Sequence, residues 1–274
     1  MRRSERSNIW QQQAWPNFVW NRNALETALS SVATAQGYLY GQLDSIGLSD
    51  HDHETIIAEA LTTAEIEGEE LSKREVRSSV ARRLGLDSGG LPQPSRHVDG
   101  LVEMLLDAAT NADAPLTTER LRSWQAALFP TGYSGLHKIA VGRWRQEAME
   151  IVSGAMGSAP EVHFEAPPAA SLDSEVQAFL RWFEGEGRSL PGLAYAGVAH
   201  LWFETLHPFD DGNGRVGRAI ADLALARSDR RQRRSFSLSV QLLEERDAYY
   251  RHLEAAQRGS LDITPWLRWF IACV

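Results

Sequence analysis

Residues 207–218, with the sequence HPFDDGNGRVGR, join two apolar segments and decide how this chain folds. The flanking segments, 193–206 and 219–226, are apolar nearly all round, so both are predicted to be buried helices. Pro208 disfavours helical dihedral angles at His207, so the first helix is expected to end there. A loop between two central helices is a rigid mount for functional side chains.

The residue types of this loop indicate an anion site. Gly212 and Gly214 allow a tight turn and a close approach of the backbone to a ligand, and a new helix is expected near Arg215. Its N-terminus would present unpaired N–H groups and a partial positive charge. Arg215 and Arg218, three positions apart, add fork-shaped donors that suit phosphate oxygens.

Two other side chains of the loop indicate chemistry. Asp211 is out of place among phosphates unless a divalent cation lies between them. His207 can take a proton near neutral pH. Taken singly, these residues fit a helix-end histidine, a turn and surface ion pairs. Taken together, they favour a metal-assisted phosphate site with a general base.

The loop resembles the signature of the Fic family, H-P-F-x-[DE]-G-N-G-R-x-x-R, and matches it at every fixed position. The resemblance implies an all-α, Fic-type helical bundle with a small β-hairpin flap and an N-terminal helical module. It also implies a protein adenylyltransferase that moves AMP from Mg-ATP to a Ser, Thr or Tyr hydroxyl of a target protein. The rival functions are a hydrolase of the same fold that removes AMP, and a regulatory module that binds ATP without chemistry.

The resemblance also implies a role for each site residue. His207 would deprotonate the incoming hydroxyl, and Asp211 would hold Mg²⁺. The residues that would bind ATP are Gly212, Asn213, Gly214, Arg215 and Arg218 in the loop, with Tyr250 and Gln257 at the adenine. An ordinary core role for the last two is nearly as well supported by the sequence.

A second motif lies upstream, where residues 54–68 are predicted to form a helix that stops at Gly68. Thr63 and Glu67 share a face of this helix and can hydrogen-bond, and the spacing turns Glu67 to the buried side, where it needs a partner. The segment TAEIEG resembles the inhibitory motif [ST]-x-x-x-E-[GN] of Fic proteins. It implies that Glu67 pairs with Arg218 and obstructs the γ-phosphate; the acid-rich composition leaves a chance match open.

The pattern along the rest of the chain gives the organisation. Glycines and prolines mark a linker at 85–96, which separates an N-terminal helical module, 1–84, from a catalytic domain, 97–274. Within 147–168 the apolar period changes to that of two short strands, 149–152 and 161–165. In Fic proteins such a flap binds the target segment by backbone pairing, so we expect an unidentified target protein there, which is either another protein or a second copy of this chain.

The charge of the chain indicates which other classes of partner are expected. The net charge of −8 gives no support to a nucleic-acid or membrane partner, and the arginine-rich segment 227–234 is expected to be a solvated turn. The N-terminus has no apolar run of the kind in a signal peptide, which favours a cytoplasmic location. A homodimer is compatible with the sequence.

Overall fold

The computed structural model describes residues 7–45, 51–153, 161–228 and 236–274. The α-helices of these residues are α1 Arg22–Ser45, α2 His51–Ile66, α3 Lys73–Arg83, α4 Arg96–Thr110, α5 Thr118–Leu128, α6 Leu172–Glu184, α7 Gly192–Leu206, α8 Asn213–Ser228, α9 Leu238–Glu244, α10 Arg246–Gln257 and α11 Thr264–Ala272. The strands form two antiparallel hairpins, β1 Tyr133–Ser134 with β2 His137–Lys138, and β3 Glu150–Ser153 with β4 Glu161–Glu165. The prediction of a helical bundle with a small hairpin is confirmed.

Helices α7 and α8 form the centre of the bundle, as their apolar composition predicts. Every residue of α7 from Ala194 to Leu206 is buried. The two helices approach closely at Gly217, where an added Cβ would collide with Glu204 Oε1. The buried apolar side chains form one cluster that extends from Ile9 to Cys273. The loop 207–218 is therefore held by the most buried pair of helices in the described chain.

The turn between these helices is tighter than the sequence suggested. Helix α7 ends at Leu206 as predicted, but His207 is left-handed, with φ 44° and ψ 59°, instead of extended. Helix α8 begins at Asn213, two residues before the predicted Arg215. The reason is the Asn213 amide, which accepts from Phe209 N at 2.9 Å and donates to Phe209 O at 2.8 Å. It closes the turn within four residues.

Helix α2 ends in a Schellman motif. Gly68 has φ 80° and donates to Glu65 O, while Glu69 donates to Ala64 O, at 2.9 and 3.0 Å. Because glycine tolerates positive φ, the chain can reverse here without strain. The helix begins at His51 and not at residue 54, and it ends at Ile66, so Glu67 lies at the C-cap.

The hairpins bring one correction and one addition. Strand β3 begins at Glu150 instead of 149, and the predicted turn lies within 154–160, outside the described residues. The hairpin of β1 and β2 was not predicted, because strands of two residues are too short to show a period of two. His163 of β4 is partly buried, and its Nδ1 lies 3.0 Å from Glu254 Oε2.

The predicted linker lies between α3 and α4. Helix α4 begins at Arg96, after Ser95, whose hydroxyl accepts from Val98 N at 3.3 Å. The division at 85–96 remains a prediction. The arginine-rich segment 227–234 lies mostly outside the described residues. Among the described helices, none has the length and apolar composition needed to cross a membrane.

Candidate active site

His207 lies at the C-terminal end of α7, in the left-handed conformation that turns the chain into the loop. Its side chain is 18% exposed, and Nδ1 lies 3.7 Å from Glu204 Oε2, one helical turn earlier. Burial lowers the pKa of His207 to about 4, against a smaller rise from a hydrogen bond to the Glu204 backbone. The imidazole is therefore neutral at pH 7, and because Nδ1 faces Glu204, Nε2 is the nitrogen available for a substrate proton.

Glu204 is itself unusual. It is 4% exposed, and its Oε1 has no hydrogen-bond partner among the described residues. Burial raises the pKa of Glu204 to about 8, although the charge of Arg218 opposes this. Glu204 and His207 are thus both neutral at pH 7, so their 3.7 Å contact is not an ion pair.

The first turn of α8 carries the residues of the predicted anion site. Gly212 has φ 88°, which opens the loop before the helix begins. Arg215 and Arg218 are 2% and 1% exposed, yet Arg215 Nε and Arg218 Nη1 have no hydrogen-bond partner in the described structure. Buried donors of this kind are costly to leave unpaired. Two guanidinium donors at a helix N-terminus fit phosphate oxygens.

Helix α2 holds the other face of Arg218. Nε donates to Thr63 Oγ1 at 2.7 Å, and Nη2 donates to Thr63 O at 3.0 Å and to Glu67 Oε1 at 2.7 Å. Thr63 and Glu67 thus both bind Arg218 and do not hydrogen-bond each other, contrary to the expectation. The side chain of Glu67 is 30% exposed, so it is less buried than its spacing suggested.

The Glu67 carboxylate lies directly on the first turn of α8. A Cβ at Gly214 would collide with Glu67 Oε1 and lie 3.1 Å from Arg218 Nη1. Burial raises the pKa of Glu67, but the charge and hydrogen bond of Arg218, with Arg215 and His207 nearby, bring the net pKa below its ordinary value. Glu67 is therefore an anion in the place where the helix favours one.

A second acidic residue binds the other arginine. Arg215 Nη1 lies 3.1 Å from both carboxylate oxygens of Glu69. Glu69 Oε2 also lies 2.9 Å from His97 Nε2, while His97 Nδ1 donates to Leu128 O at 2.9 Å. Both arginines are thus matched by a carboxylate from the end of α2. The sequence showed Glu69 only as part of an acid-rich stretch.

Asp211 is the residue that the sequence predicts to hold a metal. Its side chain is 40% exposed; one oxygen accepts from Gly212 N and the other from the Ser134 hydroxyl of β1. No cluster of three His, Cys, Asp or Glu side chains that could hold a metal alone occurs among the described residues. A single carboxylate fits Mg²⁺ that is bound mainly by water and substrate phosphates.

The two residues predicted to contact adenine, Tyr250 and Gln257, differ in exposure. Tyr250, on α10, is 42% exposed, and its ring lies 5.7 Å from the Arg246 guanidinium. Burial and the charge of Glu67 raise the pKa of Tyr250, while the charge of Arg218 opposes the rise, so Tyr250 lies within electrostatic range of both residues. Gln257 is 4% exposed at the end of α10, and no hydrogen bond joins it to residues 207–218 in the described structure.

The fold and this loop define a helical protein with two buried arginines at a helix N-terminus and a neutral histidine beside them. Residues 115–225 match the model of the Fic/DOC family, and residues 8–86 match a domain of unknown function (DUF4172). The chain therefore contains a Fic domain, which the family model places at residues 115–225.

Relatives of known sequence match part of the chain. The chain is 28% identical over 138 residues to a protein adenylyltransferase Fic of Nematostella vectensis, and 32% identical over 108 residues to one of Drosophila melanogaster. These matches cover 50% and 39% of this chain but only 28% and 20% of the two relatives. The chain thus corresponds to less than a third of the length of each relative.

Solved structures support the fold. A Fic family protein of Desulfovibrio desulfuricans matches with a TM-score of 0.64 and 21% identity, over 90% of this chain and 71% of its own. A Fic domain containing signaling protein of Bacteroides thetaiotaomicron matches with a TM-score of 0.64 and 19% identity, over 86% and 91%. At these identities the likeness shows the fold alone.

Proposed function

We propose that the chain is a protein adenylyltransferase that transfers AMP from Mg-ATP to a Ser, Thr or Tyr hydroxyl of a target protein. The observation that carries the proposal is the neutral His207 beside a helix N-terminus with two buried guanidinium donors, Arg215 Nε and Arg218 Nη1. The Fic domain and the adenylyltransferase relatives agree with it.

In the proposed reaction the target hydroxyl oxygen attacks the α-phosphorus of ATP. The bond from that phosphorus to the bridging oxygen of the β-phosphate breaks, pyrophosphate leaves, and the hydroxyl proton passes to His207 Nε2. Negative phosphates beside the ring would raise the low pKa of His207 in the complex and improve it as a base. Mg²⁺ held by Asp211 would neutralise phosphate charge. The N–H groups at the start of α8 and the arginines would orient the nucleotide.

Glu67 governs this site in our proposal. Its carboxylate lies on Gly214 and binds Arg218, so it takes the place and the donor that an outer phosphate needs. ATP can bind productively only after this ion pair separates, because two anions cannot share one position. The free protein is therefore autoinhibited.

The test of the reaction is His207→Ala in a Glu67→Gly background, with ATP labelled on the α-phosphate. Transfer to protein should fall by about 10²- to 10⁴-fold, the usual contribution of a general base, while ATP still binds. Undiminished labelling by the variant would contradict the mechanism. Absence of turnover by every variant, with intact ATP binding, would favour the regulatory module.

A second candidate function is removal of AMP from a modified target. It is favoured by the same carboxylate, since Glu67 is ionised and 30% exposed, and could orient a water molecule. Incubation of AMP-modified target with wild type and with Glu67→Gly separates the two. A hydrolase requires Glu67, so Glu67→Gly would lose AMP release. A transferase does not require Glu67 for its reaction.

A further inference from the structure

One buried arginine outside the loop contacts the backbone on both sides of His207. Arg145 is 1% exposed. Its Nε donates to His207 O at 2.8 Å, its Nη2 lies 3.4 Å from Leu206 O, and its backbone N–H donates to Pro208 O at 2.9 Å. Three consecutive carbonyl groups thus accept from a single residue.

The same guanidinium binds both ends of the flap, which consists of β3 and β4. Nη1 donates to Glu147 O at 2.8 Å, three residues before β3, and Nη2 donates to Pro167 O at 2.5 Å, two residues after β4. The neighbouring Trp144 packs on Phe209 of the loop, with ring centroids 4.9 Å apart. The stem of the flap and the catalytic turn therefore share one point of attachment.

The chemistry of this contact argues for positioning. No carboxylate lies within ion-pair distance of the Arg145 guanidinium among the described residues, so a buried cation is held by neutral carbonyls. That arrangement is costly unless all its donors are satisfied. A cation also suits the C-terminus of α7, where carbonyls lack partners. The left-handed conformation of His207 is strained for a residue other than glycine, so it needs surrounding contacts to persist.

We propose that Arg145 is a positioning residue that couples the flap to His207. A target segment paired with the flap would then lie at a fixed distance from the His207 imidazole, because the planar Arg145 guanidinium binds both the flap and the turn that carries His207. The catalytic part of this inference rests on the proposed function; the structural coupling does not.

Hydrogen–deuterium exchange of the whole chain tests the coupling without activity. Arg145→Lys keeps the charge but loses the fork, and Arg145→Gln keeps one amide donor. The matched control is Arg120→Lys, since Arg120 binds the carbonyls of Ala114, Asp107 and Asn111. Both Arg145 variants should raise exchange in 161–165 and at the amides of His207 and Phe209 together. A change in one segment alone, or the same change in Arg120→Lys, would overturn the coupling.

Steady-state transfer in the Glu67→Gly background tests the catalytic part. Arg145→Lys should lower kcat by about 10- to 100-fold, as expected for a misplaced base, with KM for ATP nearly unchanged. Circular dichroism first establishes that the variants are folded at the assay temperature. A loss that appears only in KM, or equally in Arg120→Lys, would contradict positioning. If wild type and Glu67→Gly transfer no AMP while the exchange result holds, the proposed function fails and the coupling stands.

Discussion

Glu67 Oε1 lies 2.7 Å from Arg218 Nη2, across 151 positions of sequence, and joins the end of α2 to the first turns of α8. The burial of Arg218 makes this ion pair strong, because water screens it poorly. Arg218 cannot direct Nη2 to this carboxylate and to a phosphate at once. In the proposed function, this pair must therefore separate before ATP can bind productively.

Glu67→Gly should increase AMP transfer to protein by about 5- to 150-fold, the usual range for the coupling between two states. Removal of the carboxylate frees Arg218 Nη2 and the space on Gly214, while Thr63 still holds Arg218. The control is Glu65→Gly, an exposed carboxylate of the same helix end. Label incorporation per minute is the measurement, and equal rates for the two variants would count against autoinhibition.

Thr63→Val should lower the free energy of unfolding by about 1–3 kcal/mol. The valine has nearly the shape of threonine but leaves the buried Arg218 Nε without its acceptor. Urea denaturation measures the change. Thr62→Val is the matched control, because its hydroxyl only donates within the helix, to Ala58 O. If the two valine variants lose the same stability, Thr63 does not hold Arg218 in the way described.

His97 should make stability depend on pH through Glu69. The hydrogen bond to Glu69 raises the pKa of His97 above 6.5, against the effect of burial and with a smaller rise from Leu128. Both ring nitrogens face acceptors, so both must carry protons. The contribution of charged His97 is complete below its unfolded pKa, about 6.5, and is lost as pH rises through the higher folded value.

The measurement compares wild type with His97→Gln in urea at several pH values. Glu69 must also be ionised for this pair to form. Burial raises the pKa of Glu69, but the hydrogen bond from His97 and the charge of Arg215 together outweigh that rise and bring the net pKa below 4.5. The advantage of wild type should therefore be largest between about pH 5 and 6.5 and should shrink toward pH 9. A difference independent of pH would contradict the pairing of His97 with Glu69.

The sequence predicted the parts of the site that are local. The loop and the end of α7 at Leu206 follow from one short motif, whereas the pair of Glu67 with Arg218, 151 positions apart, was implied only by the resemblance to Fic proteins. The left-handed angle at His207 was not predictable, because Pro208 excludes the helical region without choosing among the others.

Other contacts between distant segments have no motif in the sequence that predicts them. Arg145 is 62 positions from His207, and its acceptors are carbonyls, which every residue has. Ser134 reaches Asp211 from strands of two residues. Glu204 did leave a sign, since it is one of few polar residues in an apolar helix and precedes His207 by three positions.

The central claim is that the α-phosphate of ATP, with its nucleoside, passes to protein. Glu67→Gly protein is incubated with Mg²⁺, a cell lysate and ATP labelled either on the α- or on the γ-phosphate. Relative to lysate alone, we expect the added Glu67→Gly protein to increase covalent label on protein from the α-labelled ATP but not from the γ-labelled ATP, and we expect the increase to disappear when His207→Ala is added to the variant. An increase from the γ-phosphate that depends on the added protein, or none from the α-phosphate, would contradict the account.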